Sequence, residues 1–202
     1  HGVIYCAGAY DPMTAQEWDQ ESALRMMDVN LLGAMRVLPP VIETMLEQNR
    51  GHIALIGSLA SYYGLPGAIA YGASKAGLMH LAENLYVDLK KTDIKVQIIN
   101  PGFIKTRLTQ KNSFEMPQLM TPEEAADHVV KALNSRRFRT AFPRPFAWAF
   151  RVMRLLPDRI VVEIVLQSPQ FLYLDVTGAG LVDGETSIEH LDDYAVATKL
   201  SY

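Results

Sequence analysis

The sequence predicts an α/β fold, a doubly wound parallel sheet with helices on both faces. Three observations predict it. Short apolar runs alternate with segments of helical periodicity from residue 2 to about 142. The run at 53–56 is apolar throughout, as strands buried on both faces are, and 94–99 is a second strand-like run. The connections between runs are long enough for crossovers rather than hairpins.

Taken in order, Gly2 to Cys6 reads as a short buried strand, with Cys6 as core packing, and Ala7-Gly8 turns the chain at its end. Thr14 and Glu17 have capping-box spacing and open a helical stretch. Its predicted apolar face is Leu24, Met27, Leu31, Met35 and Leu38, with Pro39-Pro40 bending or interrupting it. Asn49-Arg50-Gly51 is a stop signal, and a strand ending at Ile56 follows. The loop from Ser61 to Pro66 leads to a helix over 68–91, whose Leu78, Leu81, Leu85 and Leu89 keep helical spacing. Next come a strand at 94–99 and a loop to about Met120. Thr121-Pro122-Glu123-Glu124 combines a capping threonine, a proline at the first helical position and a glutamate at the third, so a helix starts there and runs to about Leu133. Phe138 to Phe142 reads as a further strand.

Composition narrows the function. The chain has 202 residues, 49% hydrophobic and 20% charged, which suits an ordinary globular domain with a full core. No uninterrupted apolar run approaches a membrane span, and no signal peptide is visible. The single cysteine forms no internal disulfide, and a cytoplasmic location is expected. Histidines and acids show no metal-ligand spacing, and an acidic chain argues against nucleic-acid binding. The net charge of −3 is uneven: residues 161–202 carry seven acids and one base, or −6, leaving +3 on residues 1–160. Two regions follow, 1–160 as the α/β domain and 161–202 as an acidic extension. Within the extension, 171–176 can form a strand and 177–180 a turn. Residues 136–159 mix seven arginines with Phe142, Phe146, Trp148, Phe150 and Leu155. Such a segment can lie in a membrane interface, bind the acidic extension, or be a solvated helix face beside core aromatics.

The chemistry concentrates at Tyr71-Gly72-Ala73-Ser74-Lys75. Tyrosine and lysine four apart share one helix face. An ammonium beside a phenol favours the phenolate, and about three units of depression, roughly 4 kcal/mol, makes tyrosine useful for proton transfer near neutral pH. Ser58 ends the strand run Ile53–Gly57, at the sheet edge that carries ligands in open α/β folds. Asn30 lies within a helical pattern, and Asn100-Pro101-Gly102 follows another strand.

Asn30, Ser58, Tyr71, Lys75 and Pro101-Gly102, in this order, resemble the short-chain dehydrogenase/reductase family. The resemblance covers residues 2 to about 160. It implies a Rossmann-type fold, an NAD or NADP cofactor with the preference undetermined, and hydride transfer to or from an alcohol or carbonyl. It also implies that Tyr71 is the general acid/base, that Lys75 lowers its pKa and bonds the nicotinamide ribose, that Ser58 bonds the substrate oxygen, and that Asn30 holds a relay water. Ala7-Gly8 resembles the end of the family's cofactor-lining Asn-Asn-Ala-Gly segment, with Tyr5 and Cys6 at the asparagine positions. Pro101-Gly102-Phe103-Ile104-Lys105-Thr106 matches the family's Pro-Gly-x-Ile-x-Thr, whose Ile104 and Thr106 positions contact the carboxamide. Residues 107–120 fall at the substrate lid. Phe103, Leu108, Phe114, Met116, Leu119 and Met120 there, with Tyr63, Leu65 and Ile69, predict a small hydrophobic substrate. Homo-oligomers through helices 22–48 and 68–91 are a further family expectation. The family's opening strand, Gly-rich turn and helix have no counterpart upstream of His1, so an N-terminally truncated domain is expected. The alternative function is a catalytically incompetent family member that serves as a binding or scaffold protein.

Overall fold

A computed structural model describes residues 2–112 and 114–167. The expected strand and turn at 171–180 lie outside the described residues. The core is a parallel sheet in the order β1 (Val3–Tyr5), β2 (Gly51–Ile56), β3 (Ile94–Pro101), β4 (Arg139–Phe142). Both faces are covered. Ile98 belongs to the main core with Ile53, Leu55, Leu78 and Ala82, whereas Ile99 packs on the opposite face with Met120, Ala125, Ala132 and Phe142. Adjacent residues of one strand therefore enter different cores, as expected of a strand covered on both faces. The predicted α/β fold is the observed one.

The helices differ from expectation in instructive ways. Thr14 and Glu17 make only a local bond, Glu17 N to Thr14 Oγ1 at 3.2 Å. The helix α1 (Gln20–Met27) instead starts at Asp19, whose carboxylate accepts from Glu21 N and Ser22 N. It runs through a π-helical turn, Asp28–Leu32, into α2 (Gly33–Glu47). The buried stripe is Ala23, Met26, Asn30, Ala34, Leu38 and Met45, while Leu24 and Met35 are exposed. The predicted face was thus one residue out of phase along most of its length. Pro39 and Pro40 do not interrupt α2. The carbonyls that lose their donors belong to Met35 and Arg36, which are exposed, so water can satisfy them. By length and composition the continuous helix Gln20–Glu47 is apolar enough to cross a membrane, which the broken apolar runs of the sequence did not foretell.

The helix α3 (Ile69–Asp88) lies against β3 and buries Leu78, Met79 and Ala82. The expected capping box of α4 (Pro122–Leu133) is present: Thr121 Oγ1 accepts from Glu124 N, and Glu124 bonds back to Thr121 N at 2.8 Å. After β4 come α5 (Arg144–Met153) and α6 (Asp158–Gln167). The described fold continues beyond residue 160, because α6 spans that position and buries Val161 and Val165 in the main core. Cys6 is exposed, one residue past β1, rather than packed in the core.

Candidate active site

The carboxyl ends of β1, β2 and β3 open onto one cavity of about 640 Å³. Its lining includes Gly8, Ser58, Tyr71, Lys75, Pro101, Gly102, Ile104 and Thr106. Two other sequence candidates stand apart. Ala7 is exposed and not among the lining residues, and Asn30 is fully buried behind the wall.

Each side chain is positioned by a local device. Ser58 is extended and caps the short 3-10 turn Leu59–Ser61, its Oγ accepting from Ala60 N at 3.1 Å. Tyr71 sits in the first turn of α3, and Lys75 one turn later. The Lys75 ammonium donates to Ile56 O at 2.9 Å and so ties α3 to the end of β2. Asn30 is held by the π-helical turn. Its Nδ2 donates to Ala9 O and to Ser74 Oγ, both at 2.9 Å, and its Oδ1 accepts from Ala9 N at 2.7 Å. Ser74 Oγ in turn donates to Tyr71 O at 2.8 Å. Asn30 thus links the segment after β1 to the backbone of Tyr71. The turn also requires Gly33, because a Cβ there would collide with the Tyr5 hydroxyl, which donates to Val29 O at 2.5 Å.

The electrostatics correct the expected Tyr71–Lys75 relation. Burial pushes the Tyr71 phenol up from its ordinary value, and a hydrogen bond with Ser58 pulls only partly the other way. Burial pushes the Lys75 ammonium down to about 8, weakly opposed by neighbouring Cys6. The ammonium lies 6.0 Å from the centre of the Tyr71 ring, and its hydrogen bond goes to Ile56. In this arrangement Lys75 does not lower the phenol pKa, and Tyr71 holds its proton at neutral pH.

The donor set suits the nicotinamide half of a dinucleotide. Ile104 forms a parallel bridge with Met120, in which the flanking groups make the bonds: Met120 N donates to Phe103 O, and Lys105 N to Met120 O. The N–H of Ile104 therefore points away from Met120. Neither it nor the Thr106 hydroxyl has a hydrogen bond among the described residues. Two of the three Lys75 N–H donors are likewise uncommitted. A Cβ built on Gly8 would lie 3.9 Å from Lys75 Nζ, so that ammonium faces the Gly8 backbone across the cavity.

The apolar part of the cavity is only partly as expected. Phe103, Leu108, Phe114 and Leu65 line it. Tyr63 and Ile69 instead line a neighbouring cleft of about 570 Å³ against α6. Met120 is buried in the second core and Leu119 is exposed. Met116 accepts from Asn112 Nδ2 at 3.2 Å rather than lining the cavity. Three contributors were not foreseen. Phe146 and Phe150 reach the cavity from α5. Tyr10 meets the Tyr71 ring edge-on at 4.9 Å, and its hydroxyl donates to Asn112 Oδ1 at 2.8 Å. Burial first, then the Tyr71 phenol and Asp11, push the Tyr10 phenol up to about 12. The only signal for Tyr10 was its place just beyond the end of a strand.

A family model described as short chain dehydrogenase matches residues 1–116. An uncharacterized oxidoreductase of Myxococcus xanthus is 36% identical over 156 residues, covering 77% of this chain and 62% of the relative. A 3-oxoacyl-(acyl-carrier-protein) reductase FabG of Buchnera aphidicola is 34% identical over 128 residues, covering 58% of this chain and 50% of that protein. Among solved structures, serine dehydrogenase from Escherichia coli is 27% identical with a TM-score of 0.60, over 70% of this chain and 62% of its own. A short chain dehydrogenase from Burkholderia cenocepacia in complex with NADP is 23% identical with a TM-score of 0.71, over 83% and 70%, a likeness of fold. The chain spans roughly half to two thirds of the length of these curated relatives.

Proposed function

Since the chain belongs to the short chain dehydrogenase family, we propose that it carries the proton-transfer half of an NAD(P)-dependent oxidoreductase acting on the carbonyl or alcohol group of a small apolar substrate. The observation that carries this is the convergence of Tyr71, Ser58 and Lys75 on one cavity with the uncommitted donors of Ile104 and Thr106. Lys75, Ile104 and Thr106 would hold the nicotinamide ribose and carboxamide. When bound, the nicotinamide supplies the hydride that reaches the carbonyl carbon.

The chain's own residues handle the oxygen. A phenol kept protonated by burial is the acid form, so Tyr71 gives its proton to the substrate oxygen as negative charge develops there. The Ser58 hydroxyl donates a hydrogen bond to the same oxygen. A protonated Tyr71 suits the reductive half of the cycle, and the same phenol, once deprotonated, accepts the hydroxyl proton in oxidation. Phe103, Leu108, Phe114, Phe146 and Phe150 enclose the remainder of the substrate and exclude water.

The test is Tyr71→Phe in the purified protein, assayed with NADPH and NADH against a panel of apolar ketones. Loss of roughly 100-fold or more in kcat, with the fold retained by circular dichroism, is expected. Unchanged turnover would refute the role of the phenol. Absence of turnover in the unmodified protein, with no cofactor bound, would favour the scaffold reading.

A further inference from the structure

We propose that the α5–α6 hairpin is a docking element for the surface of an anionic lipid bilayer. The hairpin leaves the sheet beyond β4, at the edge opposite β1. Its inner face is already committed: Ala147, Phe150, Met153, Val161 and Val165 are buried in the main core. Its outer face is nevertheless apolar. Trp148 is 66% exposed, Leu155 84% and Ile160 47%, and Val152 lies beside them. Arg144, Trp148, Val152 and Leu155 follow at four-, four- and three-residue steps along one helical stripe. Nothing in the fold asks for a tryptophan and a leucine at these positions.

The charges on this hairpin fit a phosphate-rich surface. Arg144, Arg151, Arg154 and Arg159 are exposed and enter no ion pair among the described residues. Only Asp158 and Glu163 oppose them between residues 144 and 167. Leu155 stands in the link between the helices, with Arg151, Arg154 and Arg159 near it in the chain. In that layout the leucine enters the headgroup–acyl boundary while the guanidinium groups stay at phosphate level, and Trp148 takes the interfacial position that its amphipathic ring favours. A second copy is the poorer occupant, because a twofold contact would set these four arginines against the same four. The surface is independent of the catalytic reading.

The full chain, with Trp18→Phe so that Trp148 is its one tryptophan, is mixed with vesicles of equal parts phosphatidylglycerol and phosphatidylcholine, or of phosphatidylcholine alone. Co-sedimentation with the anionic vesicles is expected, with a blue shift of Trp148 emission and protection from acrylamide. Leu155→Asp should lower partitioning about tenfold, and joint Arg144→Gln, Arg151→Gln and Arg154→Gln should reduce it to the level of the neutral vesicles. Failure to partition, or partitioning indifferent to Leu155→Asp, would overturn the proposal. So would Trp148 already shielded from acrylamide without vesicles. Shielding at every protein concentration would point to residues 168–202 as the occupant, and shielding that grows with concentration to a second copy.

Discussion

Lys75 is 4% exposed, and its hydrogen bond among the described residues goes to Ile56 O. Its ammonium titrates at about 8 in the folded chain against an ordinary 10.5. Between those values the unfolded chain binds more protons, so stability rises with pH across that window. Urea unfolding should therefore show the native protein gaining about 1–3 kcal/mol relative to Lys75→Met between pH 8 and 10.5. A difference independent of pH would mean that the ammonium is better solvated than its burial implies. That Tyr71 and Lys75 line one cavity was legible because a four-residue helical spacing fixes a shared face. The sign of the Tyr71 shift was not legible, because it depends on desolvation by tertiary burial. Asn30 was singled out within a helical pattern, and its partners, Ala9 and Ser74, come from distant parts of the chain.

Between elements, the segment after β1 and the turn at 109–112 clasp each other over the cavity. Tyr10 donates to Asn112, and Lys111 pairs with Asp11, which also pairs with Arg25. The pairs at Asp11 are partly exposed, so each is worth little in folding stability. Their effect belongs to the position of residues 107–112. Asp11→Asn should raise KM for an apolar carbonyl two- to fivefold with kcat nearly unchanged, and should speed amide exchange at 107–112. Equal falls in kcat and kcat/KM would place Asp11 in the chemistry instead. Helix starts with a complete cap, such as Thr121–Glu124, were legible because their chemistry is local. The phase of α1–α2 was not: the buried stripe Ala23, Met26, Asn30 and Ala34 is one residue off the predicted face from before the π-helical turn at 28–32, and the two agree again only at Leu38 beyond it. Pro39-Pro40 misled for a related reason: a proline's cost depends on whether the orphaned carbonyls reach water.

Across the molecule, parallel strands and long crossovers were written in the alternation of strand-like runs and helical segments, whereas the order β1-β2-β3-β4 is visible only in the fold. The site's place at the carboxyl ends of the strands follows from the same topology. The closing of that site by α5 was not readable, because Phe146 and Phe150 share a segment with exposed Trp148 and Leu155, and periodicity does not say which aromatic faces in. The acidic composition beyond 160 hid α6, whose inner valines join the core. Val161→Ala should cost about 2 kcal/mol in urea unfolding with a single transition. A negligible loss would detach α6 from the cooperative fold. The proposed function requires this cavity to hold a nicotinamide beside a proton-donating Tyr71. Calorimetric titration of NADPH and NADH into the purified chain tests it most directly. Saturable binding in the micromolar range, retained in Tyr71→Phe and weakened about tenfold or more in Lys75→Met, is the predicted result. No detectable heat with either nucleotide, or binding indifferent to Lys75→Met, would contradict it.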